Sequence, residues 1–212
     1  TSPHRHLSSS SPAVAKGLFL LWAVPAHGTQ PPSLQQIHAL VRHMAEDAQE
    51  LFVLYEQEQH LAFNLCRPNT SLEWLRGTLV SGTGGLRALH RAMAHMDRAL
   101  QDIARHQSDL SPPGAPILQR LSSARLKVRG LLSNLEGFLQ ARGLSPAAVP
   151  PTRPMAATGV FQQKLEGCRV LWSYTRFLAR LSAQLQAQGV RARREERERR
   201  RGGRRGRRLR KP

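Results

Sequence analysis

Residues 161–177 read FQQKLEGCRVLWSYTRF. Phe161, Leu165, Cys168 and Trp172 fall at i, i+4, i+7 and i+11, which is one apolar face of a helix. Val160, Gly167, Leu171, Tyr174, Leu178, Leu181 and Leu185 make a second face, about 140° round the axis at about 100° per residue. A helix in a simple bundle needs only one such face. The stretch therefore predicts a last helix over about 160–188, stopped by Gly189, with another piece of chain lying across its outer side.

Three earlier segments keep the same rhythm. Ser33–His60 carries Leu34, Ile37, Val41, Met44, Ala45, Ala48, Phe52 and Tyr55 on one face. Leu86–Gln107 repeats Leu86, Leu89, Met93, Met96, Leu100 and Ile103 in steps of three and four. Ala115–Arg142 does so at Ile117, Leu121, Ala124, Val128, Leu131, Leu135 and Phe138, and Gly143 with Pro146 ends it. No alternating run of β-branched residues occurs, so the chain is all-α. About 24 residues join the first helix to the second and about 16 the third to the fourth, whereas Ser108–Gly114 alone joins the second to the third. Short links make antiparallel neighbours, and long ones can return the chain parallel. Long, short, long predicts an up-up-down-down four-helix bundle.

The formal charge of +18 is concentrated at one end. Residues 191–212 hold 12 Arg, one Lys and three Glu, a net of +10 that leaves +8 for the rest. With almost nothing apolar to bury, that tail is expected to be disordered. Residues 1–28 look like a secretory signal: Lys16, an apolar run from Gly17 to Ala26, then Ala26-His27-Gly28 as an acceptable cleavage site. Ten apolar residues are too few to span a bilayer. The two cysteines, Cys66 and Cys168, would be core thiols in a reducing compartment and a pair in a secreted chain. Asn69-Thr70-Ser71, just after Cys66, is a glycosylation sequon in an expected loop. A Cys66–Cys168 bridge would pin the first long crossover against Phe161, Leu165 and Trp172 and supply the missing cover. Phe161, in the first turn, would sit at the open edge beside Lys164 at i+3.

Phe161–Phe177 resembles the start of the last helix in the oncostatin M and leukaemia inhibitory factor family of interleukin-6-type cytokines, with its F-x-x-K pair on Phe161 and Lys164. KLEGCR, Tyr174, Arg176-Phe177 and the basic extension lean towards oncostatin M. LFVLY at 51–55, Cys66-Arg67-Pro68-Asn69 and RGLLSN at 129–134 lean towards leukaemia inhibitory factor. The resemblance covers about 33–188 and implies a secreted, monomeric four-helix cytokine that binds receptors and catalyses nothing. It implies that Phe161 and Lys164 engage a leukaemia inhibitory factor or oncostatin M receptor. It implies a glycoprotein 130 surface from Gln36, Ala39 and His43 on the first helix with Lys127, Gly130 and Asn134 on the third. It also pairs Cys66 with Cys168. The family's further disulfide has no counterpart here: no Cys precedes the first helix, and Gly137 stands at the third-helix position.

Other functions find little footing. Nine histidines include no HxxxH or HExxH, His90 has no partner at metal spacing and reads as a boundary residue, and no nucleophile elbow or phosphate loop occurs. Neither a metal nor a cofactor is expected. Composition alone offers a rival, a basic helical protein that binds nucleic acid or heparan sulfate through its tail. Arg191-Ala192-Arg193-Arg194 fits the R-x-[K/R]-R pattern of secretory convertases, so cleavage after Arg194 is expected, as the resemblance also implies.

Overall fold

The computed structural model describes residues 34–62, 65–67, 72–76, 78, 82–146, 148 and 159–208. The signal-like segment 1–28 and the sequon at Asn69 lie outside them. Four helices make up the fold: α1 (Leu34–Gln59), α2 (Gly82–Ser108), α3 (Pro116–Gln140) and α4 (Gly159–Arg208), with a 3₁₀ turn at Glu73–Leu75 in the first crossover. No strand occurs among the described residues.

The helix ends follow local chemistry. Pro116 opens α3 at a position where its missing N–H is not needed. Gly143, at φ +67°, turns the chain back so that the Leu144 N–H donates to the Leu139 carbonyl at 3.0 Å. Gly82, at φ +84°, starts α2 four residues before its first apolar contact.

Contacts between helices fix their directions. Thr175 donates to the Ala48 carbonyl and Tyr55 to the Lys164 carbonyl, so α4 descends as α1 rises. Lys127 pairs with Asp47 and Arg120 with Glu50, so α3 also runs against α1. His90 meets Glu136 and Arg125 meets Asp97, which makes α2 and α3 antiparallel. Gln59 and Gln107, near the last turns of α1 and α2, hydrogen-bond at 2.9 Å, so these two helices finish together. The order is up, up, down, down, and every packed neighbour is antiparallel. Ile37, Val41, Met44, Phe52, Met93, Met96, Leu100, Leu121, Val128, Leu135, Leu171 and Leu178 fill the centre.

Two expectations are corrected. The last helix does not stop at Gly189, and the tail is not irregular over 191–208: α4 continues to Arg208, 50 residues in all. Arg is a good helix former, and extending a helix already held by packing needs no new nucleus. His90 is buried rather than at a boundary, with its Nε2 2.9 Å from Glu136 Oε1.

Candidate functional site

At the start of α4, Phe161 is 60% exposed and Val160 52%. Leu165, one turn on, is buried, and Lys164 is half-buried. A buried polar lock holds this turn from below. The Tyr55 hydroxyl donates to the Lys164 carbonyl at 3.2 Å and accepts from Gln107 Nε2 at 3.4 Å. Burial raises the Tyr55 pKa far above its usual value, and the Gln107 hydrogen bond only partly offsets this, so the phenol stays neutral and keeps its proton. Gly167 makes the approach feasible, since a Cβ there would lie 2.5 Å from the Tyr55 hydroxyl oxygen.

The outer face of α4 is covered as its two apolar faces require. Cys66 and Cys168 form a disulfide with Cα atoms 5.2 Å apart, inside the usual range for a bridge. Beside it, the Arg67 guanidinium lies 5.3 Å from the Phe52 ring centroid and 5.2 Å from that of Trp172. Arg67 also forks onto Glu56, at 3.2 and 2.7 Å. A paired cation lying over two packed aromatic rings, whose centroids are 5.2 Å apart, thus covers the middle of the stripe. The cover stops short of Phe161.

A second surface lies on α1 and α3. Gln36, Ala39 and His43 are exposed along the first half of α1. His43 lies 3.7 Å from Asp47, which also holds Lys127 of α3, so these three groups are linked across the two helices. Lys127 and Asn134 are half-buried, and Gly130 is exposed with open space where a Cβ would stand.

Sequence reasoning passed over Leu126. It is 71% exposed and one turn before Gly130, on the side of α3 opposite the core. Ser122, Ser123, Gly130 and Ser133, all exposed, lie around its position on the helix, with the exposed Arg129 also one turn away. The signal was available: Leu126 is an apolar residue outside the α3 stripe.

The remaining candidates are quickly placed. Arg194 is exposed and helical, with its Nε 3.3 Å from Glu198 Oε1, instead of in an extended segment. Among the described residues, Glu56, Cys66 and Cys168 cluster at metal-ligand distance. Their sulfurs are bonded to each other and the carboxylate is taken by Arg67, which leaves no donor set. His95 stacks on Trp74, ring centroids 5.7 Å apart, and burial with Arg98 and Arg91 nearby lowers its pKa. No described helix is long and apolar enough to cross a membrane.

Comparison with known proteins identifies the class. The family model described as LIF / OSM family matches residues 33–185. The chain belongs to the LIF / OSM family. It is 30% identical to human (Homo sapiens) cardiotrophin-1 over 72% of this chain and 83% of that protein. It is 33% identical to human oncostatin-M over 51% of this chain and 48% of that protein. Cardiotrophin-2 of Pan troglodytes is 35% identical over 40% of this chain and 42% of that protein. As a LIF / OSM family member the chain is an interleukin-6-class cytokine, a non-enzyme class. The cardiotrophins stand outside the two relatives to which the sequence motifs were matched.

Proposed function

We propose that this protein is a secreted, monomeric cytokine that signals by joining two kinds of receptor chain. The start of α4 takes a leukaemia inhibitory factor or oncostatin M receptor, and the α1/α3 surface takes glycoprotein 130. The observation that carries this reading is Phe161, an aromatic side chain 60% exposed on a face that is otherwise covered. A single large apolar side chain that fills a receptor pocket, with the stem and ammonium of Lys164 beside it, is the kind of anchor that dominates interface energy. The Tyr55 lock holds the Lys164 backbone before the receptor arrives, so little ordering is needed on binding.

On the second surface, Gln36, Ala39, His43, Lys127, Gly130 and Asn134 remain the proposed contacts, with Leu126 added as the apolar knob. Lys127 is already engaged by Asp47, so its charge serves to join α1 to α3 as much as to meet a partner. Glycosylation at Asn69 and cleavage after Arg194 belong to the same proposal. Residues 191, 193–195 and 197–199 are exposed, and a helix without packing is marginal, so a convertase can open it locally. Intact mass spectrometry of the secreted chain tests the cut: a species still ending at Pro212 rejects it.

Surface plasmon resonance on paired variants tests the receptor assignment. Phe161→Ala with Lys164→Ala should abolish binding to the first receptor and leave glycoprotein 130 binding intact. Gly130→Arg or Leu126→Arg should do the reverse. Unchanged binding by both pairs, with helical content intact, overturns the assignment.

A further inference from the structure

The continuation of α4 beyond Gly189 sorts its residues by side. At about 100° per residue, Arg193, Arg197, Arg200, Arg204 and Arg208 recur in steps of four, three, four and four. Positions 201 and 207 fall beside them. Every position on this arc of about 120° is Arg. All three Glu of the segment (195, 196 and 198) and its three Gly (202, 203 and 206) fall outside it. Read as a disordered run, the tail is merely basic; read as a helix, it is a one-sided cationic rod about 22 Å long from 193 to 208. The Arg side also continues the outward side of α4 within the bundle, where Ala179, Arg180, Ala183, Gln186 and Ala187 are exposed.

We propose that this arginine face is a binding site for a linear sulfated polysaccharide, separate from both receptor surfaces. Such a chain offers an extended row of sulfate and carboxylate groups, and arginine positions recurring about every 5.4 Å along one face of a helix match it. Single-stranded nucleic acid fits less well, because the segment 191–212 has no aromatic side chain on which a base could stack. The Cys66–Cys168 disulfide also places the folded chain in an oxidising compartment, where sulfated polysaccharides are met. Cleavage after Arg194 would leave only Arg193 of the face. The same cut would then release the cytokine from a polysaccharide-bound store.

Three forms of the protein on immobilised heparin, selectively desulfated heparin and duplex DNA test the site: the full chain, the chain ending at Arg194, and a permuted chain. The permuted chain carries Arg197→Glu, Glu198→Arg, Glu195→Arg and Arg204→Glu, which keeps composition and net charge but interrupts the face twice. At about 0.15 M salt the truncated chain should bind heparin at least about tenfold more weakly, and the permuted chain should fall between the two. Desulfation should weaken the full chain, and receptor binding by all three forms should be equal. Equal heparin binding by the permuted and full chains would reduce the site to net charge and overturn the proposal. Tighter retention of the full chain on DNA than on heparin would overturn it in favour of nucleic acid.

Discussion

The two halves of α4 obey opposite rules within one uninterrupted helix. From Leu165 to Trp172 the helix is held on two sides, inwardly by the core and outwardly by the disulfide and the Arg67 clasp, and Tyr174, Leu178 and Leu181 carry the inner side onward. From Arg191 onwards Ala192 is the one apolar residue before Leu209, and the described side chains are exposed. The first half is helical because burial demands it. The second is helical because it extends the first and Arg suits a helix. A shared secondary structure therefore says little about shared stability, and stress should separate the halves.

The largest separation should come from the bridge. Cys66→Ala with Cys168→Ala releases a crossover tied across 102 residues and should lower global stability by about 2–5 kcal/mol in denaturant titration. The arm's helical signal should not depend on it. Next comes one substitution made in both halves. Gly167→Ala drives a Cβ to 2.5 Å from the Tyr55 hydroxyl oxygen, and that rigid buried ring cannot easily yield. Overpacking of about 1–3 kcal/mol outweighs the gain of about 1 kcal/mol in helix propensity, so a lower melting temperature is expected. Gly189→Ala meets nothing within 4 Å. It should instead strengthen the arm locally by about 1 kcal/mol, seen as added ellipticity at an unchanged global midpoint. If both glycine variants shift the midpoint the same way, the two halves are not independent. The smallest effect belongs to Phe161→Ala, whose side chain is largely in water: stability should move by less than about 0.5 kcal/mol while receptor binding collapses.

Four helices and their directions were legible because the 3.6-residue period and the link lengths are both properties of the sequence. The need for an outer cover was legible too, since α4 carries two apolar faces. What escaped was who supplies it. Arg67 is charged, so no hydrophobicity pattern marks it as a packing residue, and only its position against Phe52, Trp172 and Glu56 makes it one. The Tyr55 lock escaped for a related reason, because hydrogen bonds between residues 109 apart leave no periodic trace. The length of α4 was misjudged because Gly189 and the charge composition argue for a stop, whereas the packed turns before it supply the nucleus that a free peptide would lack. Phe161 and Lys164 were singled out only through a resemblance to a family, since an apolar residue at helical spacing ordinarily belongs to a core; what the structure adds is that Phe161 is exposed.

The arrangement of neighbours has a consequence for the chain while it is being made. α1 packs on α3 and α4, whose key residues emerge late: Asp47 waits for Lys127, Ala48 for Thr175, and Cys66 for Cys168. At about 5–20 residues per second, the apolar side of α1 stays without its final partners for several seconds. During that interval Cys66 is a free thiol on an unfinished chain, open to mispairing with any neighbour. Folding of this protein is thus decided at the end of translation, and a ribosome that stops before α4 releases a chain in which α1 lacks the larger part of its packing and the covalent hold beyond it.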